Sequence, residues 1–427
     1  MEHKPDHSVD THCHKGRGAR RAFLSSLISA AIVSRWAGAG QNSWQDSAGQ
    51  DSAADMAERF RQMSEDYERQ GLAEPFKGIT TDGTIVPGLF QIAPSGVSTA
   101  PVRNAALRLI STLSNVQLAR TMYPVEDIEW RKWMNQHFYL RQGISLGDMT
   151  SAQRDAAFGL MRASLSARGL ELTCNIMRLN ETLAELTGDH EFLGEGLYYF
   201  TIMGKPSATE PWGWRLDGHH AIINYFVLGD QVVMTPHFIG SEPVEAKSGK
   251  YKGLVILQQE QNDGLKMLQA VPDAQRQKAI LSFSKTGNNN LGEAFKDNIV
   301  LDYAGLCAAN LGSAPRRQLL DLVDLYVGHM DEGHARVKMD EVSRHLDKTW
   351  FAWIGGTSAD SVFYYRIHSP VILIEFDHQR PANLARFAAD PTKPTRQHIH
   401  CVVRTPNGND YGKDLLRQHY LAHPHTS

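Results

Sequence analysis

The chain has 427 residues, of which 42% are hydrophobic and 21% are charged, and its formal net charge is −3. This apolar content is typical of a folded globular protein and is too high for a disordered chain. No uninterrupted apolar run reaches the length of about 18 residues that a membrane span needs, which excludes a multi-pass membrane protein. No basic block occurs in the body of the chain, which disfavours nucleic-acid binding. Four cysteines are too few for a disulfide framework.

Residues 1–39 have the pattern of an export signal. A basic segment ends in Arg20 and Arg21, a short serine-broken apolar stretch follows, and the small residues 37–39 suit a signal peptidase. The two arginines before Ala-Phe-Leu resemble a twin-arginine signal, and an ordinary secretory signal or a disordered tail is the alternative. The sequence therefore predicts a periplasmic or otherwise exported protein, whose mature chain begins with a flexible linker over residues 40–54.

Periodicity predicts helices in the first half of the chain and strands in the second. Apolar residues spaced three or four apart indicate helices, and segments rich in Tyr, Phe, Val and Ile indicate strands. The predicted helices span residues 54–71, 101–120, 152–187 (broken at Gly169), 261–283, 314–329, 333–345 and 412–421. The predicted strands span residues 197–203, 213–228, 231–238, 362–367, 371–377 and 397–404. We therefore expect an α+β fold, with a helical N-terminal half before an antiparallel sheet with helical insertions. We expect this fold to form a single domain over residues 55–422, followed by a tail at residues 423–427.

Two stretches of the strand-rich half resemble each other. Residues 214–226 (WRLDGHHAIINYF) and 365–376 (YRIHSPVILIEF) each have an aromatic residue, an arginine, a polar turn and an apolar run. Aligned with one gap, the two arginines match, and Asn224 matches Glu375. The pattern predicts two similar hairpins with their polar turns around a shared cavity, although two hairpins of one sheet also resemble each other by composition alone.

Histidines in the strand-rich half form the candidate metal site. His398 and His400 are two residues apart on a predicted strand, so both imidazoles lie on one face. His219 and His220 follow in the turn of the first hairpin, where only one of them is expected to share a face with the ligand. Glu375 ends an apolar strand, where an unpaired carboxylate is costly. Histidines with one carboxylate resemble the ligand sets of catalytic Zn and non-haem Fe sites, and three or more histidines also suit Cu.

Other roles for the charged residues stay open. Glu375 is also suited to an ion pair with Arg366 or Arg215. If the protein is an enzyme, the candidate catalytic residues are Arg215, Asp217 and Arg366. The two arginines can position an anionic group of the substrate, or they can anchor the carboxylates of Asp217 and Glu375. A serine or cysteine hydrolase is disfavoured, because no GxSxG elbow occurs and strand alternation turns Cys401 away from the neighbouring histidines.

Six motifs along the chain are long enough to be specific. They are PWGWRLDGHH (211–220), TPHFIGSEP (235–243), LDYAGL (301–306), FAWIGG (351–356), FYYRIHSPVILIEFD (363–377) and HIHCVVRTPNGNDYG (398–412). Together they resemble the bacterial domain-of-unknown-function 3500 family over residues 55–422. The resemblance implies one full-length domain and brings no established activity. The connection over residues 378–397 is longer than the family pattern leads us to expect, and it bears on access to the site.

The residues support a leading hypothesis and two alternatives. The leading hypothesis is an exported metalloprotein that acts as a metal-dependent hydrolase or oxidoreductase on a small-molecule substrate, with Zn, Cu or Fe as its cofactor. The first alternative is a non-catalytic periplasmic binding protein, in which the aromatic-rich hairpins hold a small ligand and the histidines are structural. The second alternative is a scaffold of an outer-layer assembly. No nucleic-acid partner and no membrane span of the mature chain are expected.

Overall fold

The computed structural model describes residues 53–423, so the predicted leader, nearly all of the predicted linker and residues 424–427 lie outside the described residues. The helices are α1 (Ala53–Gly71), α2 (Ala100–Thr112), α3 (Asn115–Thr121), α4 (Ser151–Ser164), α5 (Ala167–Thr187), α6 (Gln258–Ala270), α7 (Asp273–Ala279), α8 (Ser313–Val327), α9 (Glu332–Arg344) and α10 (Lys413–Ala422). Short 3-10 helices occur at Ile128–Arg131, Ala308–Asn310, Leu346–Lys348, Ala385–Phe387 and Asp410–Gly412. Over residues 53–423, no helix is long and apolar enough to cross a membrane.

The strands form one mixed, mostly antiparallel sheet. They are β1 (Met122–Tyr123), β2 (Ile144–Ser145), β3 (Tyr198–Met203), β4 (Trp212–Gly218), β5 (Ala221–Leu228), β6 (Gln231–Val233), β7 (His237–Ser241), β8 (Ile280–Ser282), β9 (Leu306–Cys307), β10 (Trp350–Gly355), β11 (Phe363–His368), β12 (Leu373–His378) and β13 (Ile399–Arg404). The main strand order is β1-β3-β4-β5-β7-β13-β12-β11-β10-β8. Two antiparallel four-strand units, β3-β4-β5-β7 and β10-β11-β12-β13, therefore meet where β7 pairs with β13. The predicted α+β fold is confirmed.

The two predicted hairpins are present, and they hold matching positions in the two units. The first is β4–β5, closed by a two-residue turn, and the second is β11–β12. Arg215 lies directly across from Asn224 in the first hairpin, and Arg366 lies directly across from Glu375 in the second. The residues that match in the sequence are thus cross-strand partners at corresponding positions.

The pleat of the sheet separates an apolar face from a polar face. Trp214, Tyr225, Cys401 and Phe376 share the apolar face and are fully buried. Helices α6 and α8 pack on this face through Tyr365, whose hydroxyl lies against both helices. The polar face carries Arg215, Asp217, His400, Arg366, Glu375, Asp377 and Arg404. Two mostly irregular segments, residues 124–143 and 285–303, cover the polar face and provide hydrogen-bond or ion-pair partners for these charged side chains.

Three predicted helices differ from the structure. The second predicted helix is divided between α2 and α3, because Ser114 forms a capping box that starts a new helix. The third breaks between α4 and α5 and not at Gly169, which lies in the first turn of α5. The carbonyl of His329 approaches Gly169 so closely that no side chain fits there. The helix predicted over residues 261–283 is interrupted at Pro272, and its last residues form β8.

Candidate metal centre

Three histidine side chains converge on one point in the described part of the chain. His220 comes from the turn between β4 and β5, His398 directly precedes β13, and His400 lies within β13. The Nε2 atoms of His398 and His400 are 3.0 Å apart. The Nε2 atom of His220 is 3.1 Å from that of His400 and 3.3 Å from that of His398. All three residues are buried. We call them the His triad, and they can hold a metal ion.

A glycine in the intervening strand makes room for the triad. Gly240 of β7 lies opposite His400, and its N–H donates to the carbonyl of His220 at 2.8 Å. A Cβ at Gly240 would lie 3.1 Å from Cδ2 of His220, 3.2 Å from Cδ2 of His400 and 2.7 Å from the carbonyl oxygen of Ile399. The bare backbone at this position therefore lets imidazoles from both neighbouring elements meet above β7.

We predict that Gly240→Ala lowers the affinity of the triad for an added zinc ion by more than about tenfold, in the range that loss of an outer-shell contact causes. The added methyl group has to displace the backbone of β13 or the two imidazoles. A competition titration against a chromophoric chelator measures the change. Gly159→Ala is the matched control, because a Cβ there meets nothing within 4 Å. Equal affinities for the two variants would show that the space above Gly240 does not shape the site.

The outer nitrogens of two triad residues are engaged by acceptors. Nδ1 of His398 lies 2.6 Å from the carbonyl oxygen of Arg380, to which it donates. Nδ1 of His400 lies 2.7 Å from Oε1 of Glu293, and it donates to that carboxylate when Glu293 is ionised. In a neutral imidazole a proton on Nδ1 leaves Nε2 with a bare lone pair. Outer hydrogen bonds of this kind accompany nearly all metal-bound histidines, because they fix the tautomer and the ring orientation.

Burial keeps His220 and His400 in the neutral form that a metal ligand needs. Removal from water lowers the pKa of His220 and of His400 well below the usual value, and the neighbouring imidazoles lower it further. Burial also raises the pKa of Glu293 to about 7. The hydrogen bond that Asn290 donates to this carboxylate lowers the pKa, but its effect is smaller than that of burial. The imidazoles of His220 and His400 are therefore available as neutral ligands below the pH at which an exposed histidine is half protonated.

The long loop between β12 and β13 supplies part of the site. This loop, residues 379–398, contains all but the first residue of the connection over residues 378–397, which we expect to be longer than the family pattern. It carries the carbonyl of Arg380. Glu242 holds the loop in place, because its carboxylate accepts hydrogen bonds from the backbone N–H groups of Ala382 and Asn383, each at 2.8 Å. The loop thus supports His398 from outside the triad.

A family model matches most of the chain and shows the family to which the chain belongs. The model described as "Protein of unknown function (DUF3500)" matches residues 95–413. The chain belongs to the DUF3500 family. The matched region is shorter than the resemblance over residues 55–422, and it includes every triad residue but not α1. No curated protein and no solved structure matches the chain.

His219, the neighbour of His220, does not join the triad in this DUF3500 protein. Its Nδ1 atom lies 2.8 Å from Oδ1 of Asn180, and its ring stacks on His220 with centroids 3.9 Å apart. The ring of His137 packs edge-on against it at 5.6 Å. His219 therefore supports the position of His220 from the side, and the turn residue that faces the triad is His220.

Glu375 also lies apart from the triad of the DUF3500 fold. Its carboxylate accepts hydrogen bonds from the backbone N–H groups of Leu291 at 3.0 Å and Gly292 at 2.7 Å, and from the hydroxyl of Tyr364. Arg366 faces it across the hairpin, but its Nη2 atom donates to a backbone carbonyl in the covering segment. The cost of burying this carboxylate is therefore offset by backbone donors, and Glu375 anchors the segment over the second hairpin.

The other two candidate catalytic residues anchor the segment over the first hairpin. Arg215 forms a buried ion pair with Glu129 and also donates to the carbonyl of that residue. Asp217 accepts from Nε of Arg141 at 2.8 Å, and the same guanidinium binds three carbonyls of its own segment. These pairs fix the backbone that carries Asn135, whose carbonyl oxygen lies 3.4 Å from the backbone nitrogen of His220. Arg215 and Asp217 thus contribute to the site by holding the segment over residues 124–143 in place.

Proposed function

We propose that this DUF3500 protein is an exported metal-dependent hydrolase whose His triad binds one transition-metal ion, with zinc as the first expectation. The observation that carries the proposal is the convergence of three buried Nε2 atoms, two of which have their N–H groups turned outward to fixed acceptors. Imidazole nitrogen is a preferred ligand of Zn and Cu, and it also suits Fe.

The spacing of the nitrogens fits such an ion. Three imidazole nitrogens at tetrahedral angles, each about 2.0–2.1 Å from zinc, lie about 3.3 Å apart. The triad distances of 3.0, 3.1 and 3.3 Å are close to this value. Three protein ligands are typical of catalytic zinc sites, whereas structural sites usually have four. An ion bound there supplies Lewis-acid chemistry, which acidifies water and polarises a carbonyl or phosphoryl oxygen.

Purely structural hydrogen bonding accounts poorly for the triad. The proton of His398 points to the carbonyl of Arg380, and that of His400 points to Glu293. While Glu293 is ionised, the Nε2 atoms of these two residues therefore face each other at 3.0 Å with no hydrogen between them. Two lone pairs at this distance repel, and a cation between them removes the repulsion. This favours the metalloprotein over the alternative in which the histidines are only structural.

Loading the metal-free protein tests the proposed activity. Protein stripped with a chelator is reconstituted with zinc, copper or iron, and hydrolysis of activated carboxylic and phosphate esters is followed. We expect hydrolysis by the zinc-loaded protein and none by the stripped protein or by zinc-treated His400→Ala. His190→Ala is the control, because the His190 side chain is 61% exposed. Zinc-loaded protein that hydrolyses neither ester class faster than stripped protein would contradict the proposed hydrolase.

Export is part of the proposal, and it rests on the RRAFL pattern. We predict that changing Arg20 and Arg21 together to lysine leaves the precursor in the cytoplasm, because a twin-arginine signal depends on the arginine pair. Fractionation of cells that express each variant measures the periplasmic share. Arg17→Lys is the control, because it changes a basic residue of the leader outside the pair. Normal periplasmic accumulation of the double variant would remove the twin-arginine route.

A further inference from the structure

A cavity of about 610 Å³ lies apart from the His triad. It is partly open to solvent and is lined by residues of β6, of α8 and α9, of the start of α10 and of the irregular segment 88–95. The described residues that line it include none of the triad. One of them, His237, belongs to the apolar face of the sheet, whereas His400 belongs to the polar face. The cavity and the triad are therefore on opposite sides of the central strands.

The wall of the cavity is mostly apolar. The apolar side chains that line it include Phe90, Met234, Val327, Met330, Ile372, Val403 and Leu415. Its polar floor is already satisfied within the protein. The hydroxyls of Thr235 and Thr405 lie 2.7 Å apart, and Nδ1 of His237 lies 3.0 Å from the carbonyl oxygen of Ile222. These contacts leave the apolar wall as the main surface offered to a ligand.

A lysine places positive charge at the apolar wall. Nζ of Lys338 lies 5.9 Å from the ring centroid of Phe90, and both residues line the cavity. The ammonium donates to Glu341 at 2.6 Å and to the carbonyl of Val371 at 2.8 Å, although it has three hydrogens to donate. Exposed Arg344 also lines the cavity, so its two basic residues outnumber the single carboxylate of Glu341.

We propose that this cavity binds an amphiphilic monocarboxylate of the fatty-acid type. The alkyl chain lies along the apolar wall, and the carboxylate pairs with Lys338 in competition with Glu341. A volume of about 610 Å³ falls within the range of small-molecule sites, roughly 300–1,000 Å³. The excess of basic residues favours an anionic head group over a neutral or cationic one. This site does not depend on the proposed metal chemistry.

Three ligands with the same chain and different head groups test the charge. Binding of decanoate, decanol and decylamine to the full mature chain is measured by calorimetry at concentrations below micelle formation. We expect saturable binding of about one decanoate per chain, roughly tenfold tighter than that of decanol, with decylamine weakest. No saturable binding of decanoate, or decanol binding as tightly as decanoate, would overturn the proposal.

Two substitutions with opposite expected effects show whether Lys338 binds the carboxylate of the ligand or only supports the fold. Lys338→Met should weaken decanoate binding by about tenfold and leave decanol binding unchanged. Glu341→Gln should tighten decanoate binding, because it removes the carboxylate that competes for Lys338. Equal changes for all three ligands would overturn the assignment of Lys338 to the head group. Decanoate should bind equally to metal-free and zinc-loaded protein, and binding only to the zinc-loaded form would place the carboxylate at the triad instead.

Discussion

Replacing His400 with alanine is expected to remove most of the bound metal from a protein that still folds. The imidazole supplies one of three converging nitrogens, and its loss should weaken metal binding by well over tenfold, since loss of an outer-shell partner alone costs about 10–100-fold. Strand β13 is held by backbone pairing with β7 and β12, which does not use the imidazole. Metal per chain by mass spectrometry, with circular dichroism for the fold, measures both parts of the expected result.

The two histidines of the hairpin turn provide the matched control. His220→Ala should lose metal as His400→Ala does, because its Nε2 atom lies 3.1 Å from that of His400. His219→Ala should keep about one ion per chain, because Nδ1 of His219 contacts Asn180 and its ring only stacks on His220. The reverse result, with metal lost in His219→Ala and kept in His220→Ala, would mean that the turn presents the other imidazole.

Replacing Arg215 with methionine is expected to lower the free energy of unfolding by about 3–5 kcal/mol, the usual cost of breaking a buried ion pair from one side. Arg215 is 1% exposed and its partner Glu129 is 3% exposed, so the substitution leaves a carboxylate buried without its cation. Denaturant unfolding monitored by tryptophan fluorescence measures the loss. Metal content should stay at about one ion per chain in the fraction that remains folded.

A double substitution shows whether the lower free energy of unfolding comes from the unpaired carboxylate of Glu129. Arg215→Met combined with Glu129→Gln should recover part of the stability, because both charges are then gone. If Arg215 is instead a catalytic residue, Arg215→Met would keep wild-type stability and lose the hydrolysis of esters. That outcome would contradict the anchoring role that the buried pair with Glu129 indicates.

The sequence predicted the part of the site that depends on local periodicity. His398 and His400 share a strand face because side chains alternate, and this is visible in the residues alone. Which turn residue faces them depends on backbone conformation: His220 has φ of 64°, a left-handed value that the sequence does not reveal. The role of Gly240 depends on the pairing of β7 with β13. These strands are about 160 residues apart in the sequence, and no local pattern predicts that they are neighbours in the sheet.

The partners of the charged residues could not be predicted from the sequence. Burial of Glu375 in an apolar strand was correctly expected to need a partner. The donors are backbone N–H groups of Leu291 and Gly292 in an irregular segment, and no residue type marks such donors in advance. Glu293, which orients His400, lies in the same segment without any periodic signal. The domain boundaries at residues 55 and 422 stay a prediction.

The metal content of the wild-type protein decides whether the His triad is a metal centre. We predict that mature protein purified without chelators holds about one transition-metal ion per chain. X-ray absorption at the edge of that metal should show three imidazole nitrogens at about 2.0–2.1 Å. A wild-type protein that carries no transition metal, and takes up none from zinc, copper or iron salts, would contradict the metal centre and the hydrolase proposed from it.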